Sequence, residues 1–160
     1  MDSYVWKFVI TMNEIDLSYA AGLIDGEGWI GMRKKKGARN VGRAYSYAIG
    51  ISVGMANQEL PEWLCSMFGG VVYKRTSKQE NRHDSWHWQI EHGTALLALR
   101  AIKPYLRLKR AQAELAIQFQ EAIKPRQYKY HPKTEQELAL EEMQGAMMRS
   151  LNHFGETCNG

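Results

Sequence analysis

Two carboxylates draw attention by where they fall. The segment Ala20-Ala-Gly-Leu-Ile-Asp-Gly-Glu-Gly28 ends a short apolar helix on Asp25 and Glu27, where the helix macrodipole disfavours negative charge. Acids in that position suggest a nearby cation, and beside a phosphate-binding surface oxygen ligands suit Mg²⁺. Gly22 and Gly26 are four residues apart and share one helix face. Each lowers helix propensity by about 0.8–1 kcal/mol, so a pair of them implies a packing reason. A side-chain-free face lets another backbone come close, a logic best documented for small residues spaced four apart in membrane helices. The plain alternative is a helix C-cap in which Gly28 turns the chain and both acids are solvated.

The charge distribution supplies the phosphate-binding surface. Residues 1–30 carry one Lys/Arg against five Asp/Glu, residues 31–83 ten against three, residues 84–133 nine against four, and residues 134–160 one against five. A basic middle between acidic ends is the footprint of a polyanion binder; evenly solvated surface charge is the competing reading. The chain has 160 residues, 44% of them hydrophobic, enough for the core of one domain. No run of about 18 apolar residues occurs, so no transmembrane helix is expected. The first ten residues lack the small-residue cleavage site of a secretory signal. Two cysteines, Cys65 and Cys158, form neither a disulfide framework nor a CxxC zinc pair. An intracellular, reducing setting (cytoplasm, nucleoid or organelle) is expected, with no membrane partner and no small-molecule cofactor.

The elements that must position these groups follow from periodicity. Asp16 is placed to cap a helix from about Leu17 to Asp25, ended by Gly26 and Gly28. Next, Ile30 and Met32 alternate with Trp29, Gly31, Arg33 and Lys35, a strand with one basic face. A second strand carries Tyr47, Ile49, Ile51, Val53 and Met55 on one face and the small Ala48, Gly50, Ser52 and Gly54 on the other. Glu59 to Phe68 reads as a helix with Leu60, Trp63, Leu64 and Met67 inward, stopped by Gly69-Gly70. A strand over about Val71 to Thr76, with Lys74 and Thr76 opposite Tyr73, precedes a polar loop and a fourth strand. There Trp86, Trp88 and Ile90 alternate with His87, Gln89 and Glu91. Helices are expected over about Thr94–Ile102 and Leu108–Ile123. A basic-aromatic linker containing Tyr128, Lys129 and Tyr130 follows, then a helix from the capping box Thr134-x-x-Glu137 to about Leu151. The order is αββαββα plus a C-terminal helix: an α+β domain whose antiparallel sheet carries helices on one face. The division expected is an N-terminal extension at 1–13, a core at 14–124, and a linker with its helix at 125–160. The stripe Met143, Met147, Met148 and Leu151 either docks on the core or extends a dimer. The spacing of His83, His87 and His92 resembles no metal motif.

With those elements in order, Ala20–Gly28 resembles the signature of the LAGLIDADG homing endonucleases. Ala21, Gly22, Leu23, Ile24, Asp25 and Gly28 agree, and Glu27 keeps the acid where the family usually has Asp. Lys103-Pro-Tyr-Leu-Arg-Leu-Lys109 is similar to the family's segment ahead of its last core helix, which ends in an active-site lysine. The resemblance covers roughly residues 14–123 and implies an αββαββα fold around a DNA-binding saddle. With one motif in the chain, it implies a homodimer in which two signature helices pack side by side, through Ala21, Gly22 and Asp25 (the last a structural acid that caps or bridges the helix pair), on a long pseudo-palindromic double-stranded target. It further implies that Glu27 and the carbonyl of Gly26 hold Mg²⁺ (Mn²⁺ or Ca²⁺ fitting the same site), that Lys109 lies near the scissile phosphate, and that Asn57 positions active-site water. Pro61 falls where some single-motif members have a basic residue near the active site.

Base readers are expected at alternate positions of the strands: Arg33, Lys35, Arg43, Ser52, Lys74, Thr76, Ser85, His87 and Gln89. Lys34, Lys36, Arg39, Lys78, Arg82, Arg107 and Arg110 suit phosphate contacts instead. The function expected is a site-specific DNA endonuclease, free-standing and intron-encoded, since no splicing segments of an intein are recognisable. The alternative is a non-cleaving nucleic-acid binder on the same scaffold, an RNA-splicing maturase or a transcription regulator.

Overall fold

A computed structural model of the chain describes residues 12–36, 45–77, 84–123 and 133–153. The elements run α1 (Glu14–Glu27), β1 (Gly28–Lys36), β2 (Tyr45–Met55), α2 (Glu59–Phe68), β3 (Val71–Arg75), β4 (Ser85–Glu91), α3 (His92–Ile102), a 3₁₀ turn at Lys103–Tyr105, α4 (Arg110–Ala122) and α5 (Glu135–His153). One antiparallel sheet has the order β1-β2-β4-β3, with helices packed against one of its faces. The α+β class and element order are those expected. Arg43, Arg39, Lys78, Arg82, His83, Cys158 and the 126–131 linker lie outside the described residues. No described helix is long and apolar enough to cross a membrane.

Local chemistry fixes the helix ends. Asn13, and not Asp16, caps α1: its side-chain oxygen accepts from the Asp16 N–H at 2.7 Å, so the helix starts three residues earlier than its apolar pattern. Gly28 joins α1 to β1 with no intervening loop, and a Cβ there would lie 2.7 Å from the Ile24 carbonyl oxygen. Glu27 is therefore held one residue from the sheet. Gly69 and Gly70 turn α2 into β3 with φ of 73° and 98°, a backbone that side chains disfavour. The capping box opens α5 as expected, the Glu137 carboxylate accepting from the Thr134 N–H at 2.8 Å.

The core lies between sheet and helices. Ile30, Ile49, Ile51, Val53, Trp88 and Ile90 project from the strands onto Ala20, Ala21, Ile24, Leu64, Ala95, Leu99, Ile102, Ala113 and Ala116. Trp88 is fully enclosed, and its indole N–H donates to the Gly69 carbonyl at 2.9 Å. On α2 the fully buried residues are Pro61, Leu64 and Phe68, whereas Leu60, Trp63 and Met67 are only partly covered. Pro61 is thus a core residue. It sits in the first helical turn, where its missing N–H has no partner to lose.

The C-terminal helix docks on the core. Met148 is buried, Asn152 Nδ2 donates to the Ile30 carbonyl at 3.2 Å, and Gln112 Nε2 donates to the Leu151 carbonyl at 3.2 Å. Lys34 reaches Glu142 at 2.8 Å. Of the methionine stripe, only Met148 faces inward; Met143 and Met147 are exposed with Leu140. The docking depends on Gly145, where a Cβ would meet the Tyr47 ring at 2.7 Å. Gly145→Leu is therefore expected to destabilise the fold by about 1–3 kcal/mol through overpacking. Urea unfolding checks the loss, and limited proteolysis checks that α5 is the part released.

Candidate active site and nucleic-acid interface

The site is built where α1 ends and the chain enters α4. Asp25 is buried. Its carboxylate accepts from three consecutive backbone N–H groups: Arg107 at 2.7 Å, Leu108 at 3.2 Å and Lys109 at 2.9 Å. Such a run of N–H groups forms a concave anion seat, so the charge that the α1 dipole opposes is met within the same chain. The seat also aims Lys109. Its ammonium donates to the Ile24 carbonyl at 3.0 Å and to the Asp25 carbonyl. A cation there satisfies the last carbonyls of α1 and the negative end of its dipole. Burial lowers the Lys109 pKa below the usual lysine value, while the charges of Asp25 and Glu27 act to raise it.

Glu27 stands beside this lysine, exposed. It makes no hydrogen bond or ion pair among the described residues. Gly26 lies in the same final turn, where carbonyls run out of intrahelical donors. The structure thus brings Glu27, Gly26 and Lys109 together. Among the described residues no three His, Cys, Asp or Glu side chains converge into a metal cage. One chain offers a divalent ion a single free carboxylate and a carbonyl. That donor set fits Mg²⁺, which keeps several waters and commonly binds through one or two carboxylates plus substrate phosphates.

Asn57 has a structural task, and the expected pairing-face roles of Ala21 and Asp25 are corrected. Asn57 Oδ1 accepts from the Glu59 N–H at 2.7 Å and the Leu60 N–H at 3.3 Å. It ties down the start of α2, and no hydrogen bond joins it to Glu27 or Lys109. Ala21 is completely buried in its own core, and Asp25 turns inward, so neither lies on a pairing face. The exposed stripe of α1 is Ile15, Tyr19, Gly22 and Gly26, with Ile15 80% and Tyr19 52% exposed. A Cβ on Gly22 or Gly26 would meet nothing within 4 Å. Packing inside this chain does not require either glycine.

The sheet face away from the helices is assembled by the register. Trp29, Ser52, Gln89 and Val71 align across the four strands; Gly54, His87 and Tyr73 form a second row. Small residues on β2 let side chains from its two neighbours lean over it. The Trp29 ring fills the space above Gly31 and Gly50, and the His87 ring that above Gly54. Arg33 Nη1 donates to Gln89 Oε1 at 2.7 Å and pairs with Glu91 at 3.4 Å, and Lys35 pairs with the other Glu91 oxygen. The Arg33 guanidinium also lies 4.8 Å from the Trp29 ring centroid. His87 stacks on Tyr73 and is 2.9 Å from the Ser85 hydroxyl. Burial, then the nearby Arg75 charge, pushes the His87 pKa below its usual value.

Arg33, Lys35, Ser52, Ser85, His87 and Gln89 therefore share the open face. Lys74 does not. Its register partner is Trp86, on the helix-covered side, and it pairs with Asp84 at 2.8 Å. Thr76 lies beyond the end of β3. The true parity puts Val71, Tyr73 and Arg75 on the open face. Consecutive Val71-Val72-Tyr73 on an edge strand carries no alternation to reveal it. Lys34 is likewise on the helix side, held by Glu142. Trp29 and Glu91 are the open-face residues that sequence reasoning left without a role.

A family model described as LAGLIDADG endonuclease matches residues 20–124, well over half the chain. The chain belongs to the LAGLIDADG endonuclease family. Among solved structures, the homing endonuclease I-CvuI in complex with the I-CreI target is similar over 86% of this chain and 82% of that one, with 22% identity and a TM-score of 0.69. The archaeal intron-encoded homing endonuclease I-Vdi141I complexed with DNA matches over 68% of each chain at 17% identity and a TM-score of 0.55. The LAGLIDADG meganuclease I-CpaMI, bound to uncleaved DNA, is matched over 69% of this chain but 36% of its own, at 15% identity and a TM-score of 0.53. At these identities the likeness is one of fold. No curated protein matches significantly. In this LAGLIDADG chain the signature's first acid serves as an internal clamp. Asp25→Ala should lower stability by about 3 kcal/mol, since it strands three N–H groups that now bond a charged acceptor, and a urea midpoint measures the loss.

Proposed function

We propose that this chain is a site-specific DNA endonuclease, intron-encoded, that works as a homodimer with divalent metal. The observation that carries the reading is the exposed stripe of α1. It presents two glycines with open space above them and leads directly to an exposed Glu27 beside Lys109. A second copy seated there brings two Glu27 carboxylates together at the end of the paired helices. The similar chain I-CpaMI is matched over about a third of its length and I-CvuI over most of it, which supports a single unit that needs a partner. I-CvuI has been described on DNA targets in the presence of Mg and of Ca.

In this reading Glu27 and the Gly26 carbonyl hold Mg²⁺. When bound, that ion supplies Lewis acidity for an in-line phosphodiester displacement. Lys109 places its ammonium toward the phosphate and stabilises charge that develops there. Partial burial lowers the Lys109 pKa, but it reduces screening and so strengthens the attraction between its ammonium and the phosphate. The open face of the sheet, with Arg33 and Lys35 on β1 and Arg75 on β3, lies in the major groove, where alternating side chains reach base edges.

Cleavage of a randomised double-stranded DNA library in Mg²⁺ tests the reading. Enriched breaks with a two-fold-related consensus are expected, lost when Ca²⁺ replaces Mg²⁺; tight binding without breaks favours an RNA-splicing maturase or a regulator instead. Glu27→Gln is expected to abolish cleavage while DNA binding in Ca²⁺ stays within a few-fold, and undiminished cutting would remove Glu27 from the metal site. Gly22→Leu should shift the protein from dimer to monomer in sedimentation velocity, because the new side chain enters the space the partner helix needs. An unchanged dimer would place the interface elsewhere.

A further inference from the structure

The open face of the sheet contains one acid where a DNA-binding surface should repel it. Glu91 is the last residue of β4, held there by a sharp turn at His92, whose φ is 54°. Its stem lies over Gly50, which has no side chain to displace it. Its two oxygens are divided between Arg33 and Lys35, both from β1 on the far side of β2. Its side chain is 18% exposed, against 36% for Arg33 and 42% for Lys35. Burial acts to raise the Glu91 pKa, but the Lys35 hydrogen bond and the charges of Lys35, Arg33 and His92 hold it below the usual carboxylate value. The group is therefore a fixed negative charge beneath two cations.

Its effect on Arg33 is directional. Both acceptors, Gln89 Oε1 and Glu91 Oε1, take the same guanidinium nitrogen, Nη1, and the Trp29 ring lies against the group. Nη2 and Nε have no hydrogen-bond partner among the described residues. A guanidinium held in this way presents a two-donor edge, the shape that pairs with guanine O6 and N7. The same carboxylate offsets the charges that Arg33 and Lys35 would otherwise offer to any phosphate, and that charge is the basis of sequence-independent affinity.

We propose that Glu91 is a specificity-setting residue: it holds Arg33 in a guanine-reading pose and suppresses binding to DNA that lacks a guanine there. This rests on the endonuclease reading above. The assignment makes Glu91 a positioning residue that acts through Arg33. Gln89 is committed to the same task, so it is an orienter of Arg33 and not an independent reader of adenine.

The test compares the full-length protein with Glu91→Gln, Arg33→Ala and the double variant. Each is run through the same randomised DNA library, and its affinity for the selected site and for random-sequence DNA is measured in Ca²⁺ by fluorescence anisotropy at fixed salt. Glu91→Gln should bind random DNA more tightly, lower the ratio of specific to non-specific affinity about tenfold, and blur the consensus at one guanine per half-site, in line with the discrimination one bidentate pair provides. In the Arg33→Ala background the same substitution should lose most of its effect on the ratio, only the share that acts through Lys35 remaining, because Glu91 and Arg33 act as one unit. Glu91→Gln keeps the shape of the side chain and one acceptor oxygen for the cations beside it, so the variant should fold; a thermal melt confirms it. A ratio within twofold of wild type with an intact consensus overturns the role of Glu91 and leaves the nuclease standing. A wild-type protein with no sequence preference overturns both.

Discussion

The structure depends on a carboxylate seated in three backbone N–H groups. Asp25 ends one helix and receives the segment that begins another, so two stretches far apart in sequence are joined by a charge-assisted contact. Lys109 returns the connection by donating to the carbonyls at the end of α1. Between them the two residues settle an electrostatic conflict, since Asp25 sits at the negative end of a dipole and Lys109 is drawn out of water. Neither charge is comfortable alone. Together they fix the position of Glu27, which needs no intrachain partner of its own and is left free.

The sheet solves a different problem, that of placing long side chains in a defined pose on an exposed surface. Arg33 and Lys35 on β1 and Gln89 and Glu91 on β4 could not meet if β2 carried bulk between them. Ala48, Gly50, Ser52 and Gly54 clear that path, and Trp29 and His87 occupy the vacated space. A row of small residues, which weakens a strand by itself, here allows the outer strands to communicate across it.

Most of the fold was legible because its signals are local. Alternation gave β1, β2 and β4, paired glycines marked the turn after α2, and the Thr134 capping box marked α5. Glu27, Gly26 and Lys109 were singled out through resemblance to a family motif, and the structure adds the hydrogen bonds of Lys109 to the carbonyls at the end of α1. What failed depended on partners distant in sequence. The parity of β3 was hidden because an edge strand with three adjacent apolar residues has no period to read. Asp25 is the structural acid expected, but its place on a pairing face failed because its partners are backbone N–H donors, which carry no sequence signature. Ala21 and Gly22 are neighbours in a motif, yet a 100° step along the helix sends one into the core and the other to the surface. The structural task of Asn57, whose oxygen accepts from two N–H groups at the start of α2, likewise had no signal in the sequence reading.

The two edges of the sheet are treated differently. At β1 the amide of Asn152 takes the Ile30 carbonyl, so the docked α5 occupies part of the hydrogen-bonding edge that a foreign strand would need. At the opposite end β3 is five residues long and carries Lys74 and Arg75, a short and charged border. Strand-to-strand pairing is thereby discouraged on both sides, and the exposed stripe of α1 is left open. The C-terminal helix, which lies beyond the family match, thus covers part of the β1 edge.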